Sequence, residues 1–267
     1  MDYGEGMKPL GHKQESPEFR TTRWSLVLAA GGDGGEARSS LGELCLAYWY
    51  PLYAFARRKG LSMEAAEDSV QGFYGRVLER EDLKRVDPER GSFRSWLRVS
   101  FRNYLVNQAE ASRASKRGGG VAPASLGGIG EDIDWEAADL RFATDRSVEL
   151  TPEQSFERAW AVEVLQRARK SVFARYEERG RGEVFEALKS FLVPGQETHS
   201  HAKIAERLEV SVGAIRVAVH RLRKQFKEAL EAEILETVDG EVEVEAELST
   251  LFESLAHSAP PSSEQDV

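Results

Sequence analysis

The sequence predicts an all-α protein of two helical domains joined by a flexible linker. In successive segments apolar residues recur at steps of three and four, the period of an amphipathic helix. Only residues 241–245 alternate apolar and acidic residues, and they are too short and too acidic for a sheet. Between residues 112 and 130 the composition changes to Gly, Ala and Ser, which is typical of a linker. These signals divide the 267 residues into a disordered N-terminus (1–18), a first helical domain (19–112), a linker (113–150), a second helical domain (151–230) and an acidic C-terminal extension (231–267).

In the first domain a helical segment is predicted from about Thr22 to the glycine run at residues 31–35, and three further helices follow it. The first covers residues 40–59 and ends at Gly60, which suits a C-cap. The second begins after Ser62, a favourable N-cap, and runs to about residue 80. Four polar residues lie on its outer face: Glu67, Asp68, Gln71 and Arg76. The third begins at Ser92, and its apolar stripe keeps a clear helical period: Phe93, Trp96, Leu97, Ser100, Phe101, Tyr104 and Leu105.

The second domain begins with Thr151 before Pro152, an N-cap followed by a proline at the first helical position. A long helix follows, and then a shorter one over residues 183–192. Residues 200–227 then predict a helix-turn-helix, in which Ser211 caps the second helix. The apolar positions of that helix share one face: Ile215, Val219, Leu222 and Phe226. An ordinary amphipathic helical hairpin is the alternative interpretation.

The distribution of charge matters more than the net charge of -9. Residues 84–117 contain nine Lys or Arg and three acids, a net of +6, and residues 200–227 contain seven and two, a net of +5. The last forty residues carry twelve acids and no Lys or Arg. Because anions respond to the local field, the two basic islands favour nucleic acid as a partner. Either island by itself also suits a plain solvated face.

The helix-turn-helix predicts which residues face duplex DNA. Its second helix would enter the major groove. The first residues of that helix would contact the edges of the DNA bases, and its later Lys and Arg side chains would contact phosphates. The predicted contacts are Ser211, Val212, Gly213, Ala214, Arg216, Val217, His220, Arg221, Arg223 and Lys224. The third helix of the first domain instead combines arginines with aromatics and amides, a mixture that suits a single strand. Its aromatics equally fit a core, and its arginines a solvated face.

Four segments resemble a known family. Residues 65–77 (AAEDSVQGFYGRV) and 93–105 (FRSWLRVSFRNYL) look like region 2 of bacterial sigma factors. Residues 202–208 (AKIAERL) and 212–223 (VGAIRVAVHRLR) are similar to region 4. With no other region between them, the order resembles the extracytoplasmic-function class. The chain departs from the family's pattern at Gly72, where a polar residue is usual, in its longer linker, and in its acidic extension.

The resemblance implies a role for each set of residues. The helix with Asp68 and Gln71 would bind the clamp helices of the polymerase β′ subunit, with Glu67 and Arg76 beside them, and the β flap is a further expected contact. The melted -10 strand would be contacted by Arg94, Arg98, Arg102, Asn103 and Asn107. The region 4 helix would read the -35 duplex. An anti-sigma factor on a separate chain is a partner that the resemblance allows.

The expected function is therefore that of a sigma factor, which directs core RNA polymerase to promoters through -10 and -35 recognition and has no catalytic activity of its own. A stand-alone helix-turn-helix regulator that does not bind core polymerase is the main alternative. A nucleic-acid-processing enzyme is a second alternative, but no acid cluster or nucleophile pocket supports it. The acidic extension predicts a small amphipathic helix that either docks on the basic recognition helix or lies free or against polymerase.

No cofactor or metal is expected. His199 and His201 are two residues apart, which does not place two ligands on one helix face. The single cysteine, Cys45, excludes an internal disulfide and suits a core position. No apolar run approaches the length of a membrane helix, and no secretory signal is evident. We expect a cytoplasmic protein without membrane insertion.

Overall fold

The structure, a computed structural model of the full chain, describes residues 35–79, 83, 92–115, 133–145, 149–192, 199–235 and 241–256. Within these ranges all regular structure is helical, as predicted, and no strand occurs. The helices are α1 (Gly35–Arg58), α2 (Met63–Glu79), α3 (Phe93–Ser115), α4 (Trp135–Asp145), α5 (Pro152–Glu177), α6 (Gly182–Leu188) with a 3-10 turn (Lys189–Leu192), α7 (His201–Arg207), α8 (Val212–Leu235) and α9 (Glu241–Ala256). The predicted disordered N-terminus and the helical segment predicted from about Thr22 lie outside the described residues.

The ends of the first two helices follow the capping signals of the sequence. Gly60 has a φ of 91°, and the next residue, Leu61, donates its N–H to the carbonyl of Ala56 at 3.3 Å. This left-handed C-terminal turn requires a residue without a Cβ penalty, which glycine supplies. Ser62 Oγ then accepts a hydrogen bond from the Ala65 N–H at 3.2 Å, so the predicted N-cap of α2 is confirmed.

Aromatic side chains join α1, α2 and α3. The ring of Phe101 lies 6.0 Å from that of Phe55 and 5.2 Å from that of Phe73, both in edge-to-face geometry. Such pairs add about 0.5–1.5 kcal/mol to the burial of their area. Phe93 and Leu97 are also buried. The aromatic stripe of α3 is therefore a core stripe in this structure.

Part of the predicted linker is a docked helix. Residues 135–145 form α4, and the Trp135 ring lies 5.2 Å from that of Trp49 on α1. Tyr53 donates a hydrogen bond to Asp139 at 2.8 Å, and Arg57 pairs with the same carboxylate at 2.9 Å. The sequence hides this helix because only two of its eleven residues, Ala138 and Phe142, are buried, which leaves little apolar periodicity.

Helix α5 is the centre of the fold. Thr151 and Gln154 form the capping box that starts it, as the sequence predicts for Thr151. The helix packs along α1 on one side and against α6, α8 and α9 on others. The buried residues of both predicted domains consequently form one continuous core. The described helices of the two predicted domains therefore share an interface. The sequence predicts instead two domains that are separated by a flexible linker.

The C-terminal extension contributes α9, which includes residues 241–245. Val244 and Leu251 are buried, while Leu248 and Leu255 pack against the core, so the predicted amphipathic helix is confirmed. Helix α9 lies on α5 and α8. The extension therefore docks on the predicted recognition helix, but the predicted duplex contacts at the start of α8 remain exposed beside it.

Nothing in the described part of the chain combines the length and the apolar character of a membrane-crossing helix.

Candidate nucleic-acid interface

The helix-turn-helix is built by local hydrogen bonds around a four-residue turn. At the end of α7, Glu209 has a φ of 54°, and Val210 donates its N–H to the carbonyl of Ala205 at 3.0 Å. This is the hydrogen-bond pattern of a Schellman motif, here with a non-glycine residue in the left-handed region. Ser211 Oγ then accepts from the Ala214 N–H at 3.1 Å, which starts α8 as predicted.

Helix α8 divides into a buried and an exposed face. Ile215, Val219 and Leu222 are buried against the rest of the fold. The predicted duplex contacts all lie on the exposed side: Ser211, Val212, Gly213, Ala214, Arg216, Val217, His220, Arg221, Arg223 and Lys224. Val217 is 50% exposed. An exposed valine between arginines is suited to contact a thymine methyl group beside polar base edges.

The Lys and Arg side chains of this face differ in the hydrogen-bond and ion-pair partners that they have among the described residues. No carboxylate of the described residues pairs with Arg216 or Arg221, so both guanidinium groups are open to an anion. Arg223 donates a hydrogen bond from Nε to the carbonyl of Phe191 at 2.8 Å and so fixes α8 against the 3-10 turn. Lys224 lies 3.8 Å from Glu228, an exposed pair that contributes little.

A basic groove borders α8. Arg179 and Arg181, from the turn between α5 and α6, line it together with Arg221 of α8, and its volume is about 450 Å³. Gly180 between them has a φ of 63°, which turns the chain sharply enough to leave both arginines exposed. These two arginines could not be predicted as part of the site, because they precede α8 by about thirty positions and only the turn signal marks them.

The structure buries Arg94, one of the predicted -10 contacts. Its side chain is 4% exposed and cannot contact DNA in this arrangement. Arg94 pairs with Glu157 of α5 and with Glu247 of α9, the latter at 2.6 Å, and its guanidinium lies 4.2 Å from the Trp160 ring centroid. Burial lowers the pKa of Arg94, and Glu247 raises it in part. Partners from distant parts of the chain cannot be anticipated from the spacing of arginines along one helix.

Three of the four remaining predicted -10 contacts lie on the outer side of α3. Arg102, Asn103 and Asn107 are exposed. Arg98 is partly buried, with its Nη1 3.4 Å from Glu157. The structure therefore groups three of the five residues on an open surface and places Arg94 and Arg98 at the contact with α5.

The predicted polymerase-binding residues form a polar face on α2. Asp68 is exposed, whereas Glu67, Gln71 and Arg76 are partly buried. Gln71 donates to Glu67 at 3.1 Å, and burial followed by the charge of Asp68 raises the pKa of Glu67. Gly72 is buried beneath this face, so its departure from the family's pattern does not alter the exposed surface.

A metal site and a reactive thiol are not evident in the described ranges. There, no group of three His, Cys, Asp or Glu side chains is placed to hold an ion. Cys45 is buried, and this burial raises the pKa of its thiol.

In the described residues the protein is therefore all-helical and carries a helix-turn-helix whose second helix leaves one face exposed. No known protein family, curated protein or solved structure matches the chain. The geometry of the described residues is therefore the basis for the function proposed below.

Proposed function

We propose that the protein is a sigma factor, which binds core RNA polymerase and directs it to promoters. The observation that carries the proposal is the exposed face of α8. There Arg216 and Arg221, which pair with no carboxylate of the described residues, lie beside the exposed Val217, and Ser211 caps the start of the helix. This combination can read base edges in a major groove. A hairpin that served only as packing would have no need of exposed valines on its outer face.

Two further surfaces support the same proposal. The polar face of α2, centred on Asp68, is accessible to a partner protein. On α3 the exposed residues Arg102, Asn103 and Asn107 can bind unpaired bases and phosphates of a single strand. Capture of bases that are already unpaired stabilises an open complex, because only a few kcal/mol of unstacking must be offset.

The test is binding of the full chain to purified bacterial core RNA polymerase. We expect a one-to-one complex, and Asp68→Ala/Gln71→Ala should weaken it at least tenfold, since hydrogen bonds to a charged group contribute about 1.5–3 kcal/mol. Glu110→Ala, which removes an exposed acid from neighbouring α3, is the matched control and should bind as the wild type does.

Run-off transcription on fragmented bacterial DNA then reports whether the bound polymerase initiates at defined sites. Absence of any complex with the wild-type chain would contradict the proposal. If the same chain nevertheless selected a duplex from a random library, the stand-alone regulator would be the better description.

The basic groove predicts a phosphate contact next to the recognition helix. Arg179→Ala/Arg181→Ala should weaken binding to a selected duplex and lower the slope of log K against log salt by about two, because each phosphate contact releases a counterion. Sequence preference should not change. Arg169→Ala/Lys170→Ala removes two exposed cations from the middle of α5 and should leave the slope unchanged. A change in sequence preference without a change in slope would contradict the assignment.

A further inference from the structure

Three helices that are distant in sequence meet at the side chain of Arg94. Helix α3 supplies the guanidinium, α5 supplies Glu157 and the ring of Trp160, and α9 supplies Glu247. Each of the two carboxylates is itself largely buried. The C-terminal extension thereby binds the same helix that carries the predicted single-strand contacts.

Two carboxylates and an aromatic ring stabilise the buried positive charge of Arg94. A buried charge without a partner is strongly unfavourable, and removal of one partner from a buried pair typically destabilises the arrangement by several kcal/mol. Arg94 is held here by two partners and by an aromatic face at once. The cluster consequently favours the arrangement in which α3, α5 and α9 are in contact.

This closed arrangement is incompatible with simultaneous contact to both promoter elements. Sites at -10 and -35 are separated by about 25 base pairs, or roughly 85 Å of duplex. Helices α3 and α8 both contact α5, a helix of 26 residues and hence about 39 Å long, so in this arrangement they cannot lie roughly 85 Å apart. The interface of α5 with α1 and α3 must therefore open before α3 and α8 can occupy their sites together.

We infer that Glu247, Arg94 and Glu157 form a latch that holds the chain closed, and that release of α9 followed by separation of α5 from α3 frees Arg94 for DNA. This inference rests on the proposed function. Helix α9 is suited to detach because Val244 and Leu251 are the only buried residues among its described side chains, whereas α5 buries a long apolar stripe. Detachment also returns an acidic segment to water and uncovers a cation on α3.

The test measures opening of the full chain directly. Cysteines introduced at the exposed positions Glu110 on α3 and Glu206 on α7, in a Cys45→Ala background, would carry a donor and an acceptor dye for single-molecule energy transfer. We expect one high-transfer population for the latched chain. Glu247→Gln should raise the ratio of open to closed molecules roughly tenfold, because it removes a charge-assisted hydrogen bond. Glu157→Gln/Glu247→Gln should raise it further.

The matched control is Glu245→Gln, which removes the same charge from an exposed position on the same helix. It should leave the energy-transfer distribution unchanged. Circular dichroism verifies that each variant remains helical, so a loss of transfer reports separation of the helices. Equal distributions for Glu247→Gln and Glu245→Gln would overturn the latch.

Binding of the same variants to core polymerase separates this inference from the function on which it rests. If the wild type binds polymerase and Glu247→Gln binds no more tightly and opens no more often than Glu245→Gln, the latch is wrong and the proposed function stands. If Glu247→Gln opens the chain but no variant binds polymerase, the conformational effect of the cluster stands. Its assignment as a control of promoter binding then fails together with the proposed function.

Discussion

Phe101→Ala is expected to lower the free energy of unfolding by about 3–5 kcal/mol. The Phe101 side chain is fully buried and contacts the rings of Phe55 and Phe73, so its removal leaves a cavity where α1, α2 and α3 meet. Because a domain of this kind is stable by only about 5–15 kcal/mol, the loss would be a large fraction of the total. Urea denaturation followed by circular dichroism measures it.

Phe252→Ala is the matched control for this prediction. Phe252 lies on α9 and is 55% exposed, so removal of its side chain creates no comparable cavity. A change of less than about 1 kcal/mol is expected. Equal losses for the two variants would mean that Phe101 is not at the centre of the core.

Arg216→Ala is expected to cost roughly 1–3 kcal/mol of affinity for a selected duplex and to relax sequence preference at one position. Arg216 is exposed on the first turns of α8, and no described carboxylate competes for its guanidinium. A bidentate contact to a guanine edge is the interaction that such an arginine forms most often. Selection of duplex sites from a random library with wild-type and variant chains measures both effects.

Lys224→Ala provides the contrast on the same helix. Lys224 lies two turns further along and already has Glu228 beside it, so we expect a small and uniform loss over all sequences. A uniform loss for Arg216→Ala as well would identify Arg216 as a phosphate contact. The recognition position would then have to be sought among Val212, Val217 and His220.

The sequence was sufficient for the features that depend on local interactions. Ser62, Thr151 and Ser211 accept hydrogen bonds from backbone groups three residues ahead, and such caps are fixed by neighbours in the chain. The buried faces of α3 and α8 could likewise be predicted, because apolar residues at helical spacing mark the side of a helix that a compact fold buries. The division of α8 into a buried and an exposed side could be predicted for the same reason.

The site on α3 could be predicted only in part. Arg94, Arg98 and Arg102 repeat at equal spacing, but the structure buries the first, partly buries the second and exposes the third. What separates them is the position of α5, whose Glu157 reaches Arg94 and Arg98 from a segment more than fifty residues away. Periodicity along one helix contains no information about such a partner.

Two other features also depended on tertiary contacts. Helix α4 lies within an acidic stretch with little periodicity. It is stabilised by the contact of Trp135 with Trp49 and by the hydrogen bond from Tyr53 to Asp139. Arg179 and Arg181 lie beside α8 only because the turn between α5 and α6 lies next to that helix.

The sequence by itself thus determined the helical class, most helix boundaries and the face that α8 leaves open, because these depend on the chain's local periodicity and caps. The tertiary structure alone decided that the two helical halves share one core and that Arg94 lies between Glu157 and Glu247. The physical reason is that a buried charge is positioned by its partners, and those partners come from helices that only the folded chain brings together.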